Sequence, residues 1–551
     1  MRFVLLTLVS IAAMSGLAAA QPQLAVQGQP YFEGDATLTV VDGADVGQPV
    51  LVALGLNPLP LDVPLMTGKG PWYIGLLVNS TLLGVVPADG VFRLDFTMPP
   101  EAPALIGIPI VLQAFVSGRL SNPTTLPLDK PYFLSANAAV IDSPNATNVG
   151  KFGDRTVVGD LNGDGVTDLV VGAWFEDTAG IDRSGRAYVF WGPSFSTTTT
   201  LEPVAPKLYG EFGMGLAISD LDDDGIDDLI VGEGTGNPPP VGQPASLYVY
   251  SGGPTFSSSP STSIQSDGSG AEYTLFGRNL AVADFDNNGF PDIAVGLPNR
   301  TVAGLTHAGQ VDVYRGPDFT TIVHLNSPNV GQDDYFGEEI TASDVTGDGI
   351  SDLIEANARE TVGGVFGIGR VYLFSGPGLG SFKTLENPLP DGVNSRFGND
   401  VIGTDINGDG IAEVVTTDER NHVYVFWSPS FDTYQLIVRP PDPGLGTGVS
   451  VSFGYFVDAG DVNGDGEVDI AIGEPFAPSE GRALVALGPY YSSFLVLQDQ
   501  LPATSAEFGW GVLIDDVTGD GRDDLLVGAD LATGNGVLGA GHTTIFRHPD
   551  Q

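Results

Sequence analysis

The sequence of 551 residues contains no cysteine and only five histidines. Without cysteine the chain forms no disulfides, thiolate metal sites or iron–sulfur clusters, and it has no cysteine nucleophile. No histidine follows another at a spacing of three or four residues. A histidine-based zinc site of the hydrolase type is therefore not predicted.

Basic residues are also scarce, because 22 Lys and Arg stand against 68 Asp and Glu, for a formal net charge of −46. Nucleic acid and anionic lipid are bound through broad basic surfaces, so we expect neither as a partner. The charge favours bound cations or a strongly solvated surface. An apolar fraction of 42% still predicts a folded chain.

Long apolar runs are missing except at the N-terminus, where one extends from Phe3 to Met14. Arg2 precedes this run and the small residues 18–20 follow it, which predicts a secretory signal peptide over residues 1–20. The run is short for a membrane span. We expect an exported, soluble protein without a membrane span. The lack of disulfides in such a protein favours a bacterial source.

Glycine and proline are abundant, with 75 and 41 residues, and they separate short runs of β-branched and aromatic residues. This pattern predicts many short strands joined by turns and no long amphipathic helix. Residues 21–128 contain such runs without any acidic repeat. They predict a small, all-β, sandwich-like domain.

Residues 129–551 contain seven copies of an acidic string, D-x-[ND]-x-D-G-x-x-D with small variations, spaced 55 to 64 residues apart. A Phe-Gly pair precedes every copy, with its Phe eight residues before the first Asp. Repeated units of several short strands bury their faces by stacking around an axis. The sequence therefore predicts an all-β, seven-bladed β-propeller over residues 129–551.

Closure of the ring is also predicted. Six repeats have a further strand after a Gly-Pro turn or its relative, whereas none follows the last strand of the seventh, TTIFRH. The segment PYFLSANAAVI, from Pro131, resembles this missing strand. We expect it to pair with the last blade and remove the open sheet edge. A plain linker is the alternative.

The acidic string places oxygen-bearing side chains at positions 1, 3, 5 and 9, and position 7 can add a main-chain carbonyl. Gly at position 6 permits the sharp bend that turns these oxygens inward. Hard oxygen ligands in a flexible loop suit Ca²⁺ better than Mg²⁺. Position 12 is mostly apolar, unlike the bidentate Glu of an EF-hand, so strand–loop–strand sites are predicted.

Up to seven Ca²⁺ ions are predicted, because a plain turn needs no fixed carboxylate three places after its Gly. The predicted ligands, at positions 1, 3, 5, 7 and 9 of each loop in turn, are Asp160, Asn162, Asp164, Val166, Asp168, Asp220, Asp222, Asp224, Ile226, Asp228, Asp284, Asp286, Asn288, Phe290, Asp292, Asp344, Thr346, Asp348, Ile350, Asp352, Asp405, Asn407, Asp409, Ile411, Glu413, Asp461, Asn463, Asp465, Glu467, Asp469, Asp516, Thr518, Asp520, Arg522 and Asp524.

Four loops depart from the ideal string and are the candidates for weak or absent binding. The third has the neutral Asn288 at position 5, and the fifth ends in Glu413, whose longer side chain shifts the geometry. The fourth and seventh have the hydroxyls of Thr346 and Thr518 at position 3.

The Phe-Gly pair and the acidic loop together resemble the FG-GAP repeat, the unit of the seven-bladed propeller at the N-terminus of integrin α chains. The resemblance covers about residues 131–551. It implies the propeller fold and calcium in the loops, and it hints at adhesion. The D-x-S-x-S motif of an inserted integrin domain does not occur in this sequence.

The leading functional prediction is a binding or adhesion module for a glycan, a surface polymer or a protein. Tryptophans near blade loops can stack on sugar rings, although two of them fall in the repeating strand and are expected in the core. The four are Trp174, Trp510 and, in that strand, Trp191 and Trp427. We expect a monomer.

Two other classes stay open: a calcium-dependent polysaccharide-degrading enzyme and a purely structural component of a cell surface or matrix. No catalytic constellation is predicted. Acidic residues outside the metal loops would be the enzyme's candidates, and each is expected in a solvated turn. They are Glu176, Asp177, Glu338, Glu339 and Asp400.

Overall fold

A computed structural model of the chain describes two compact units, Met1–Tyr132 and Phe133–Gln551. The first unit is described only in nine strands, and the second over residues 138–146, 149–234, 244–266, 274–389, 394–440, 452–477, 481–499, 501 and 506–547. The predicted signal peptide lies outside the described residues. Within these ranges, no helix has the length and apolarity needed to cross a membrane.

The strands of the first unit form two antiparallel sheets. They are β1 (Gln23–Gly28), β2 (Asp35–Val41), β3 (Pro49–Asp62), β4 (Tyr73–Leu77), β5 (Leu82–Val85), β6 (Val91–Thr97), β7 (Ile110–Val116), β8 (Arg119–Leu120) and β9 (Thr124–Leu126). One sheet has the order β1-β2-β6, and the other has the order β4-β3-β7-β8, with β5 beside β3 and β9 beside β7. The predicted sandwich-like arrangement stays a prediction.

The second unit consists of seven four-stranded antiparallel sheets. Its strands are β10 (Ala138–Asp142), β11 (Thr156–Gly159), β12 (Asp168–Gly172), β13 (Ala187–Phe190), β14 (Thr198–Leu201), β15 (Leu216–Ser219), β16 (Asp228–Glu233), β17 (Ser246–Tyr250), β18 (Thr262–Gln265), β19 (Leu280–Ala283), β20 (Asp292–Gly296), β21 (Val311–Tyr314), β22 (Ile322–Leu325), β23 (Glu339–Ser343), β24 (Asp352–Asn357), β25 (Arg370–Ser375), β26 (Ser381–Glu386), β27 (Val401–Thr404), β28 (Glu413–Asp418), β29 (His422–Phe426), β30 (Tyr434–Val438), β31 (Val457–Gly460), β32 (Asp469–Glu474), β33 (Arg482–Leu487), β34 (Ser493–Leu497), β35 (Phe508–Asp515), β36 (Asp524–Ala529) and β37 (His542–Phe546).

The sheets are the blades of a closed seven-bladed propeller, which confirms the predicted fold. The innermost strands contact one another around the ring in the order β11, β15, β19, β23, β27, β31 and β35. Strand β35 also contacts β11, so the ring is complete.

Strand β10 completes the seventh blade, whose strand order is β10-β37-β36-β35. Ala138 pairs with Phe546 and Asp142 with His542 in an antiparallel register. The predicted closure of the ring is therefore confirmed for residues 138–142, while residues 131–137 lie outside the described part of the chain. Because β10 pairs with β37, the edge of β37 is not left open, and the seventh blade has four strands like the others.

The Phe-Gly pairs anchor the blades to one another. All seven Phe side chains are at most 1% exposed, and all seven following glycines have φ between +79° and +93°. At Gly153 a Cβ atom would lie 2.6 Å from the carbonyl oxygen of His542, so backbone approaches there too closely for any side chain.

The core lies between neighbouring blades rather than within one. Phe212, for example, belongs to a buried cluster that joins Val170 and Val189 of the first blade to Leu229 and Tyr248 of the second. Strands buried on both faces read as continuous apolar runs, as the second and third strands of the blades do.

Candidate metal centres in the blade loops

Each acidic loop connects the innermost strand of a blade to its second strand. Position 1 follows the inner strand directly, and position 9 is the first residue of the second strand, as Gly159 pairing with Asp168 illustrates. Because every blade uses this connection, the seven loops lie at one end of the ring. The strand–loop–strand setting predicted from the sequence is therefore confirmed.

The carboxylate at position 1 organises the backbone of its own loop. In all seven loops its Oδ2 atom accepts the N–H of the position-6 glycine, at 2.6 to 2.8 Å. This glycine has a positive φ in each loop, for example +80° at Gly165. The glycine is needed because the bend requires a left-handed backbone.

The side chain at position 5 is held in a similar way. Its Oδ1 atom accepts the N–H of position 7 at 2.8 to 3.0 Å in all seven loops, including Asn288 in the third. The backbone thus fixes two of the predicted ligand side chains, and a carboxylate oxygen retains a second lone pair for an ion.

The carboxylate at position 9 has a structural partner of its own. In five loops one oxygen accepts the N–H of the glycine that follows the third strand, at 2.8 to 2.9 Å. A fixed acid at position 9 therefore also ties the loop to the blade, which the sequence argument for calcium did not consider. Burial raises the pKa of Asp168 to about 6 and that of Asp469 to about 8.

The donor set fits a hard divalent cation. Carboxylate oxygens of Asp220, Asp222 and Asp224 lie within 4.8 Å of one another, and the same holds for Asp284, Asp286 and Asp292. Ca²⁺ takes oxygen ligands at about 2.3–2.6 Å, so ligands of one ion are up to about 5 Å apart. Position 7 and the remaining predicted ligands stay predictions.

The third loop already contains a cation. Arg315 Nη1 donates to Asp292 Oδ2, and Arg315 Nε lies 3.6 Å from Asp286 Oδ2. The Arg315 side chain is only 10% exposed. Its guanidinium therefore neutralises the position-3 and position-9 carboxylates of the loop whose position 5 is the neutral Asn288. Although three carboxylates of this loop lie close together, Arg315 makes the loop poorly suited to bind a further cation.

Position 8 links neighbouring loops, which sequence reasoning missed. Asp227 of the second loop accepts the N–H of Asp160 at 3.0 Å and donates its own N–H to the Asp160 carbonyl at 3.2 Å. Asp523 of the seventh loop likewise accepts the N–H of Asp461 at 2.7 Å. A carboxylate that joins position 1 of the preceding blade couples the blades at the loop end of the ring.

Among the acidic residues considered for an enzyme, Glu176 and Asp400 do not lie in solvated turns, so that expectation is wrong for both. Glu176 is fully buried and accepts hydrogen bonds from Ser143 and Tyr188 at 2.7 and 2.6 Å. Asp400 accepts the N–H of Val457 in the next blade at 2.7 Å. Both carboxylates accept hydrogen bonds from protein groups in place of those from water, as burial of a charge requires.

The other three acidic candidates lie at the surface or in the lining of a cavity. Asp177 is exposed and Glu338 pairs with Arg359 at 2.9 Å. Glu339 is the first residue of β23 and lines a cavity at the end of the ring opposite the acidic loops, so the expectation of a solvated turn is wrong for it too. Buried acids equivalent to Glu176 recur in other blades, as Glu233 does, at variable spacing after position 9. That variable spacing leaves no signal in a search for fixed motifs.

Two of the four tryptophans contact the core, as expected. Trp191 and Trp427 pack against buried clusters between blades. Trp174 and Trp510 instead line the cavity that contains Glu339.

Four segments of the chain match family models of two related repeats. The model of the FG-GAP repeat matches residues 152–190 and 508–543. The model of the FG-GAP-like repeat matches residues 220–295 and 405–472. This is an FG-GAP repeat protein. Each matched segment contains an inner strand, the acidic loop that follows it and all or part of the next strand, so the matches fall on the part of the blade that carries the candidate metal site.

Curated relatives of this FG-GAP protein include integrin α chains. Integrin alpha-IIb of Mus musculus is 38% identical over 30% of this chain and 16% of its own length. Integrin alpha-8 of Gallus gallus is 27% identical over 52% of this chain and 28% of its own. A phosphatidylinositol-glycan-specific phospholipase D of Homo sapiens is 29% identical over 35% of this chain and 26% of its own. The chain thus spans less than a third of each relative.

Proposed function

We propose that this protein is an exported, calcium-binding β-propeller that acts as a binding or adhesion module. The observation that carries the proposal is the set of seven loops at one end of the ring, in which backbone amides orient the position-1 and position-5 side chains. The similarity to integrin α chains supports a role in attachment to another molecule. A glycan, a surface polymer or a protein are the proposed ligands.

Calcium has a structural role in this proposal. Carboxylates grouped within a few ångströms repel one another and oppose the compact state. A bound Ca²⁺ removes this repulsion, and each occupied site stabilises the fold by about 2.7 kcal/mol when calcium is a hundredfold above its Kd. Several such sites together rival the ~5–15 kcal/mol stability of a typical domain.

Removal of calcium tests the metal part of the proposal. Elemental analysis of the purified full chain should find calcium, and EDTA should lower the melting temperature and expose the propeller to protease. Readdition of Ca²⁺ should restore both properties, whereas Mg²⁺ should do so poorly because it demands a rigid octahedral site. The proposal would be contradicted if the purified chain contained no calcium and EDTA left its melting temperature unchanged.

The ligand part is tested by a glycan array and a panel of extracellular proteins, each probed with and without EDTA. An assay for polysaccharide cleavage run in parallel separates a binding module from the enzyme alternative. Saturable binding without cleavage supports the module, and turnover of any polysaccharide would favour the enzyme.

A further inference from the structure

The residue directly after each Phe-Gly pair lines a single cavity on the axis of the propeller. The cavity has a volume of about 230 Å³ and lies at the end of the inner strands opposite the acidic loops. All seven repeats contribute to its lining. The seven residues at this position are Asp154, Met214, Arg278, Glu338, Asn399, Tyr455 and Trp510.

This axial ring differs from the rest of the repeat in its diversity. Phe, Gly and the first Asp of the acidic loop are the same in all seven repeats, while the residue after the Phe-Gly pair is of a different type in each. The scaffold therefore does not dictate this position. A sevenfold backbone that presents seven different side chains to one cavity forms an asymmetric surface, which is what recognition of one ligand orientation requires.

The aromatic side chains at the wall of this cavity are fixed in place. Asp154 accepts hydrogen bonds from the indole N–H groups of Trp174, at 2.6 Å, and of Trp510, at 2.7 Å. The rings of Trp510 and Tyr455 lie 4.9 Å apart. Because Asp154 is only 6% exposed, these two hydrogen bonds hold both indoles rigidly at the cavity wall.

Cations are concentrated around the same cavity. Five of the 22 basic residues of the chain line it. Four of them have carboxylate neighbours: Lys151 contacts Asp530, and the other three lie 2.7 to 4.0 Å from theirs. The fifth, Arg278, has no ion pair with any described residue, and its Nε atom is buried without a hydrogen-bond partner.

The strongly negative net charge of the chain does not exclude an anion here. Exposed charges farther than a Debye length, about 8 Å at physiological salt, are largely screened. The guanidinium groups of Arg278 and Arg155 act at shorter range. Both attract the Glu339 carboxylate, which shares the cavity with them.

We propose that this axial cavity binds an acidic saccharide, with its carboxylate on Arg278 and its ring against the wall formed by Trp510 and Tyr455. The inference rests on the proposed binding function and specifies its ligand. A guanidinium presents a planar fork of donors that matches a carboxylate. Aromatic faces suit the apolar face of a sugar, and the remaining acceptors suit its hydroxyls.

An acidic peptide fits this lining less well. Glu338, when ionised, accepts hydrogen bonds but donates none, and it repels further carboxylates. Sugar hydroxyls donate to such groups while a single carboxylate occupies the guanidinium. Arg278, which has no ion pair with a described residue, therefore combines with hydrogen-bond acceptors and aromatic rings into a lining that favours a saccharide.

The experiment uses the full chain in calcium, with trigalacturonate and sialyllactose as two sources of the same acidic chemistry. Each is titrated calorimetrically beside its methyl ester, which retains the sugar but loses the charge. We expect at least one acid to bind and its ester to bind about ten- to a hundredfold more weakly, the range for loss of one hydrogen bond to a charged group. Arg278→Gln should weaken the acid similarly and leave the ester unchanged.

Two further variants separate recognition from folding. Trp510→Leu should weaken acid and ester alike, and Lys383→Gln, which removes a cation on the outer strand β26, should weaken neither. Arg278→Gln should keep its calcium content and melting temperature. Failure of both acids to bind, equal binding of acid and ester, or an unaffected Arg278→Gln variant overturns the inference. A calcium-loaded chain that binds another glycan or a protein would still support the proposed function.

Discussion

Asp142 lies directly opposite His542 across the two strands that close the ring. The pairing brings a strand from before the first blade together with the last strand of the seventh. The seventh blade therefore depends on residues at least 400 positions earlier in the chain. Bringing together residues so far apart in sequence has a high entropic cost while the intervening chain is unfolded, so we expect this pairing to form late in folding.

A chain that begins at Val149 should melt at a lower temperature than one that begins near Pro127. The shorter chain lacks β10 and exposes the edge of β37, although both chains keep all seven acidic loops. Thermal unfolding followed by circular dichroism, with light scattering to detect edge-to-edge aggregation, compares the two. Equal melting temperatures would show that β10 does not contribute to the stability of the ring.

The sequence predicted the propeller, the closing strand and the position of the loops because these features repeat at fixed spacing. Phe152 and its six counterparts each fill an equivalent site between blades, which explains both their burial and their recurrence in the sequence. Contacts made once could not be predicted in this way. Arg315 reaches its loop from the end of the third strand, where five other repeats have Trp, Ser or Leu and the seventh has Arg547.

The acid at position 9 has a structural role that is independent of calcium. Asp168 accepts backbone N–H groups from Leu161 and Gly192. The blade therefore favours an acid there even without an ion. The case for calcium depends more on positions 1, 3 and 5, where Asp220, Asp222 and Asp224 bring their oxygens together.

The third loop should bind no calcium until its internal cation is removed. The double variant Arg315→Ser, Asn288→Asp should gain one ion, because it removes the competing guanidinium and supplies the missing carboxylate. Calcium stoichiometry measured by calorimetry and elemental analysis gives the result. The reciprocal variant Asp164→Ala in the first loop should lose one ion and about 2.7 kcal/mol of stability at calcium a hundredfold above Kd.

One single variant of the third loop serves as a control for this exchange. Asn288→Ala alone should leave the stoichiometry of the wild-type chain unchanged, since its loop is already neutralised by Arg315. A loss of one ion in Asn288→Ala would show that the third loop binds calcium despite its arginine.

Asp227→Ala should destabilise the ring through its contact with the neighbouring blade. The substitution leaves the backbone N–H of Asp160 without its 3.0 Å acceptor, at a cost of about 1–3 kcal/mol. Chemical denaturation in saturating calcium measures the change. Asp182→Ala removes an equal charge from an exposed turn and should be nearly neutral. Similar effects of the two variants would mean that only the charge of Asp227 matters.

Calcium should reverse the sign of the pH dependence of stability. In the calcium-free chain, burial raises the pKa of Asp458 on the inner strand β31 to about 7, with Asp400 and Asp515 adding repulsion. A carboxyl group whose pKa is raised by folding stabilises the fold fully below its unfolded pKa of about 4. That contribution is lost as the pH rises towards 7. The EDTA-treated chain should therefore melt at a higher temperature at pH 5 than at pH 8.

The calcium-loaded chain should show the opposite trend, because protons compete with the ion for the loop carboxylates as the pH falls. Melting temperatures at pH 5 and pH 8, with calcium and with EDTA, give the four values needed. Asp458→Asn should reduce the pH dependence in EDTA, since an amide oxygen can still accept the N–H of Ile514 but does not ionise. Trends of the same sign with and without calcium would contradict the assignment of the loops as the dominant metal-linked groups.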